Sequence, residues 1–166
     1  MLFRHAKSDH VQGLEDRDRP LAERGHAESQ LMGQFMAHHA LIPALTLVSV
    51  ALRTRQTWAL AAPALGIPIP QRDEPRLYDA SAQTILGVLK AVDTAPLSIV
   101  VVGHNPGISQ LAARLAANGD PAALSRLRDG LPTAGLVIID FALDHWSGLD
   151  NGLGTLIRFD TPKTIG

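Results

Sequence analysis

The chain of 166 residues has no cysteine, which excludes disulfides, thiolate metal centres and a cysteine nucleophile, the route of one large phosphatase class. Aromatic residues make up only 4% of it, leaving few platforms on which nucleic-acid bases could stack. An excess of one charge is missing too. Lysine and arginine total 15 against 16 aspartates and glutamates, a formal net charge of −1, which removes the usual electrostatic argument for nucleic-acid or anionic-membrane binding. No stretch approaches the ~18–20 uninterrupted apolar residues of a membrane span. Arg4 and His5 interrupt the N-terminus before the apolar core of a signal peptide could form. The expectation is a cytoplasmic protein whose partner is small or protein-borne and is read locally, with neither nucleic acid nor membrane involved.

Hydrophobic residues make up 46% of the chain, enough for a globular core, and its length fits one domain over residues 1–166. Apolar runs alternate with helical patterns, which argues for an α/β fold with a mostly parallel sheet. Leu2-Phe3 reads as the end of a first strand, and the polar stretch Asp9 to Pro20 as a loop over that end. A helix is expected from Leu21 to about His39, a strand over Leu45–Ser49, and a helix over Ala51–Leu65 closed by Gly66. Pro70–Pro75 reads as turns and Arg76-Leu77-Tyr78 as a short extended segment. Ser81 is placed to cap a helix carrying Ile85, Leu86, Leu89 and Val92 on one face. The β-branched run Ile99–Val102 is a strand buried on both faces, and Pro106 permits a helix start after it. Gly135–Phe141 and Thr155–Phe159 are the last strands.

Three polar motifs each follow an apolar run. Arg4-His5 follows Met1-Leu2-Phe3, Arg53 follows Leu45–Val48, and Gly103-His104-Asn105-Pro106-Gly107 follows Ile99–Val102. Open α/β sheets gather ligands at such strand ends. A phosphomonoester carries about −1.5 to −2 charges on three oxygens, and arginine meets those oxygens with a rigid fork of donors. Arg4 and Arg53 together neutralise the dianion without a metal. An unprotonated imidazole can attack phosphorus and give a covalent phosphohistidine, and a second histidine can stabilise the charge that builds on the equatorial oxygens. Arg55 competes with Arg53, but residues two apart on a helix point about 200° away from each other, so only one faces the pocket. His38-His39 lacks an accompanying carboxylate, and His10, His26 and His145 have no partner in sequence. Asp16-Arg17-Asp18 mimics the Asp-x-Asp of metal-dependent phosphatases, yet no apolar strand precedes it. No metal or cofactor is expected.

The ordered set Arg-His-Ala-Lys-Ser at 4–8, Asp-Arg-Pro-Leu at 18–21, Glu-Arg-Gly at 23–25, Ser-x-Ala-x-Arg ending at Arg53, Pro-Arg-Leu-Tyr at 75–78, Gly-His-Asn-Pro-Gly at 103–107 and Leu-Pro-Thr-Ala-Gly at 131–135 resembles the histidine phosphatase (phosphoglycerate mutase-like) superfamily. Within it, the set is similar to the SixA-like phosphohistidine phosphatase branch. The resemblance implies a three-layer α/β/α sandwich, His5 as nucleophile, and Arg4, Arg53 and His104 around the phosphate. Ser8 and Asn105, beside those motifs, join the expected substrate-binding set. Relatives that cleave phosphomonoesters use a Glu after a similar Arg-Leu segment as proton donor, which makes Asp79 a candidate acid, against the plainer reading of a turn residue. Ala6 stands where the superfamily usually has Gly, Val50 replaces a common proline, and Ala22 leaves the next helix without a capping side chain. The implied activity is metal-independent dephosphorylation of phosphohistidine on a protein. Hydrolysis of small phosphomonoesters is the alternative, and a non-catalytic phosphate-binding regulatory module a third. The lack of a long insertion to form a deep lid over a small substrate favours the first.

Overall fold

Side chains alternate sides along a strand, and in the computed structural model, which describes residues 1–166, that alternation builds two cores on one sheet. The chain runs β1 (Leu2–Arg4), α1 (Glu23–His38), β2 (Leu45–Val48), α2 (Leu52–Ala61), β3 (Gln71–Asp73) and α3 (Ala82–Lys90). It continues through β4 (Ile99–Gly103), α4 (Gly107–Leu115), β5 (Ala116–Gly119) and α5 (Pro121–Asp129), and ends with β6 (Leu136–Asp140), β7 (Gly154–Asp160) and α6 (Pro162–Ile165). Leu2, Leu47, Val101, Val137 and Ile139 face one way, onto Ile85, Leu89, Ile108 and Leu111 of α3 and α4. Their neighbours Phe3, Val48, Val100, Val102 and Leu136 face the other way, onto Met32, Met36 and Trp58 of α1 and α2. Helices therefore cover both faces, giving the expected three-layer α/β/α arrangement.

The strands lie in the order β3-β2-β4-β1-β6-β7-β5. Pairing is parallel from β3 through β1; β6 runs antiparallel to both its neighbours, and β5 joins β7 in parallel. The register places Arg4 beside Gly103 and Val48 beside Val102. Consequently three adjacent parallel strands release their chains at the same edge, the geometry at which α/β sheets build sites.

The local signals held at most helices. Ser81 Oγ accepts the Thr84 N–H at 3.1 Å, as an N-cap should. Ala22 makes no capping bond, and α2 tightens into a 3₁₀ turn, Ala62–Leu65, that Gly66 closes at φ 72°. Two readings are corrected. Arg76-Leu77-Tyr78 is not extended: Pro75–Leu77 is a 3₁₀ turn, started by Pro75 and capped by the Glu74 carboxylate, which accepts the Arg76 N–H at 3.0 Å. Within the turn-rich stretch Pro70–Pro75, Gln71–Asp73 pairs with β2 as an exposed edge strand. β5 and α5 also lie where no element was expected.

Candidate active site

At that common edge the backbone holds the motif residues together before any side chain acts. The His5 N–H donates to the Gly103 carbonyl at 3.1 Å, and the Ser49 N–H to Val102 at 3.0 Å. The Ala6 N–H donates to Thr57 Oγ1 at 3.0 Å, which ties the Arg4-His5 turn to α2 and so to Arg53 on the same helix. Gly107 lets the loop after His104 close on the segment leading into α3, because a Cβ there would overlap the Ala80 carbonyl.

His5 is 9% exposed and its Nδ1 lies 2.8 Å from the Ala6 carbonyl. A carbonyl only accepts, so Nδ1 carries the proton and Nε2 keeps a lone pair. The His104 ring stands 5.2 Å from the His5 ring, centroid to centroid, and Tyr78 meets it edge-on at 5.8 Å. His104 Nε2 is 2.7 Å from the buried Ser49 hydroxyl, the only hydrogen bond of that hydroxyl. Donation by Ser49 to Nε2 satisfies the serine and leaves the His104 proton on Nδ1, a buried atom with no partner.

The arginines surround these rings. Arg4 Nη1 donates to the Leu131 carbonyl at 2.8 Å while its buried Nε has no acceptor. Arg53 is buried, with Nη2 on Asp16 Oδ2 at 2.9 Å and Nη1 on the Asp16 carbonyl. Arg55 points outward to an exposed ion pair with Asp73 at 2.8 Å, so the structure turns Arg53 inward and Arg55 away. Burial, reinforced by Arg53, Arg4 and Arg19, lowers His5 to a pKa of about 4. Burial and the neighbouring His5 and Arg53 lower His104 to about 3. Both imidazoles are neutral at pH 7, and the orphaned Arg4 Nε and His104 Nδ1 call for an acceptor, which an anion with several oxygens supplies.

The remaining expected residues stand differently. Ser8 is buried, its hydroxyl accepting from Arg19 Nη2 at 3.1 Å. The Asn105 amide donates to the Leu131 carbonyl at 2.9 Å and accepts from Ser109 at 2.6 Å, so it steadies the same carbonyl that Arg4 uses. Asp79 is exposed, with a left-handed φ of 49° and a carboxylate that makes no hydrogen bond or ion pair. Asp16, set aside as a false metal motif, is a site residue that sequence reasoning missed. It bonds Arg19, Arg53 and Tyr78, and these donors hold its carboxyl well below the usual carboxylate range.

Residues 1–85 match the model of the histidine phosphatase superfamily (branch 1). The uncharacterized protein Rv1276c of Mycobacterium tuberculosis is 37% identical over 165 residues, which span 97% of this chain and 100% of that one. The uncharacterized ML1117 of Mycobacterium leprae is 32% identical over 168 residues, spanning 97% and 100%. Among solved structures, the Agrobacterium tumefaciens protein assigned as the phosphohistidine phosphatase SixA is 32% identical, with a TM-score of 0.79 over 97% of this chain and 96% of that one. A protein histidine phosphatase SixA in complex with tungstate shares the fold, at 23% identity and a TM-score of 0.80 over 99% and 97% of the two chains.

Proposed function

The chain belongs to the histidine phosphatase superfamily (branch 1), in its SixA-like group, and is a phosphatase; from that premise we propose that residues 1–166 act as one domain that removes the phosphoryl group from phosphohistidine on a protein. The observation that carries the reading is the His5–Ala6 hydrogen bond. It presents a neutral ring with a free Nε2 lone pair, the form that attacks phosphorus.

In this account Arg4 and Arg53 receive the phosphoryl oxygens, and Arg4 Nε and His104 Nδ1 gain the acceptor they lack. As Nε2 of His5 bonds to phosphorus, charge moves onto the equatorial oxygens, where a neutral donor fixed by Ser49 helps without having to be protonated first. Water then attacks the phosphoryl-His5 in the same cradle, releasing inorganic phosphate. The charges suit a dianion: Arg4, Arg53 and Arg19 against Asp16 leave two positive charges, near the −1.5 to −2 of a phosphoryl group.

The leaving group decides the substrate class. A phosphorylated imidazole can take a proton from solvent on its second ring nitrogen before it departs, whereas an alkoxide needs an acid held against it. Asp79 is exposed and unheld, so the poorer leaving group gets no such help. Turnover of a phosphohistidine protein is compared with a panel of alkyl phosphomonoesters on one preparation. A kcat/KM higher for phosphohistidine is expected, and a preference for an alkyl phosphate overturns the reading.

A further inference from the structure

Asp16 is carried by the polar loop 9–20, which returns over the site and sets this residue on the outer side of Arg53. Three donors reach its carboxylate: Arg19 Nη1 on Oδ1 at 2.9 Å, and Arg53 Nη2 at 2.9 Å with the Tyr78 hydroxyl at 2.8 Å, both on Oδ2. A carboxylate offers about four acceptor positions, two on each oxygen. Oδ2 is therefore filled and Oδ1 keeps one position open. The side chain is 53% exposed while that of Arg53 is 8% exposed, so Asp16 lies on the solvent side of Arg53, bonded to Tyr78, whose ring stands 5.8 Å from the His104 ring. Two arginines and a tyrosine fix this negative charge at the rim of an otherwise cationic pocket.

We propose that Asp16 is a specificity-determining residue, whose open Oδ1 position accepts the ring N–H of the phosphohistidine leaving group. The inference rests on the phosphohistidine reading above. A phosphohistidine ring joined to phosphorus through one nitrogen can take up a proton on the other and is a cation in that form. When the His5 Nε2–P bond forms and the P–N bond breaks, the bonding pair goes to the departing nitrogen. The ring leaves as neutral imidazole with its N–H retained, and no proton has to be delivered during the step. Asp16 favours the protonated, reactive ring by charge and by the hydrogen bond. The oxygen leaving group of a phosphomonoester brings no such donor, and one that carries its own anion meets repulsion. Asp16 thus selects at the leaving group, while the arginines hold a phosphoryl group common to both substrate classes.

Asp16 also holds Arg53, so a simple loss of activity on mutation would not separate the two roles; a ratio does. The kcat/KM for a phosphohistidine peptide and for 4-nitrophenyl phosphate is measured on the wild type, Asp16→Asn, Asp16→Ala and Asp16→Glu, with thermal melts to confirm folding. Misalignment of Arg53 costs both substrates alike. The proposal expects the Asn and Ala variants to lose a further 10- to 100-fold, on the order of one charge-assisted hydrogen bond, on the peptide alone. Asp16→Glu, which keeps the charge, should hold most of the preference, and it carries the test should the other two fail to fold. Equal losses on both substrates overturn this inference and leave the phosphohistidine reading standing. A wild type that does not turn over the phosphohistidine peptide overturns both.

Discussion

Lowering the pH should destabilise this protein through His5, by an amount the burial of that ring sets. The folded value, about 4, lies below the 6.5 of a free imidazole. The unfolded chain therefore takes up the proton first as the pH falls. The stability linked to His5 is whole above pH about 6.5 and is lost progressively down to about 4. A gap of about 2.5 pH units at about 1.36 kcal/mol each amounts to about 3 kcal/mol, a large share of the ~5–15 kcal/mol of a typical domain. Carboxylates titrate in the same region, so the measurement has to be a difference. Urea unfolding of the wild type and of His5→Ala is followed from pH 7 to pH 4.5. The wild type should lose about 2–3 kcal/mol more than the variant over that interval. His104 adds to this difference in the same sense: His5 is one cause of its lowered pKa, so in the variant that ring protonates at less cost, and the excess loss of the wild type reports the pair of buried rings. Parallel profiles for the two proteins would show that the His5 ring is not held neutral by burial, and the lone pair assigned to it would lose its basis.

Other outcomes follow from the same geometry. Arg53→Ala should lower kcat/KM by about 10²–10³, as loss of a transition-state donor does. Arg55→Ala, which breaks only an exposed pair with Asp73, should stay within a few-fold; comparable losses at both positions would place the wrong arginine in the site. Gly107→Ala drives a Cβ into the Ala80 carbonyl and should cost about 1–3 kcal/mol in a denaturation experiment, as overpacking does; an unchanged midpoint would remove the close approach. Asp79→Asn should leave phosphohistidine turnover within a few-fold and change 4-nitrophenyl phosphate hydrolysis equally little. A selective loss on an alkyl phosphate would instead make Asp79 the acid of a phosphomonoesterase.

The layers of the fold were legible because their signals are local and redundant. Ile99–Val102 is β-branched at every position and supplies both cores by alternation. The edge strand Gln71–Asp73 was hidden because all its side chains are exposed, so its pairing rests on the backbone and leaves no apolar pattern. At 116–129 the Asp120-Pro121 start of α5, in which Asp120 caps the Ala123 N–H, was the available signal. In the site, Arg4, His5, Arg53 and His104 were legible because each follows an apolar run that ends at one sheet edge. Asp16 was not. It reaches Arg53 and Tyr78 across 37 and 62 residues, and no spacing along the chain encodes a loop folding back over a pocket. The role of Ser49 in fixing the His104 tautomer was hidden for the same reason, since its partner lies 55 residues away.

The destination of the phosphoryl group is the decisive observable. The protein is mixed with a ³²P-phosphohistidine protein, quenched in alkali within the first turnover, digested, and the labelled peptide sequenced by mass spectrometry. The label should sit on His5, acid-labile and alkali-stable, as the Nε2-linked isomer, because Nδ1 is occupied by the Ala6 carbonyl; His5→Ala should trap nothing and turn nothing over. Label on another residue, or appreciable turnover by the alanine variant, would contradict the role of His5 as nucleophile.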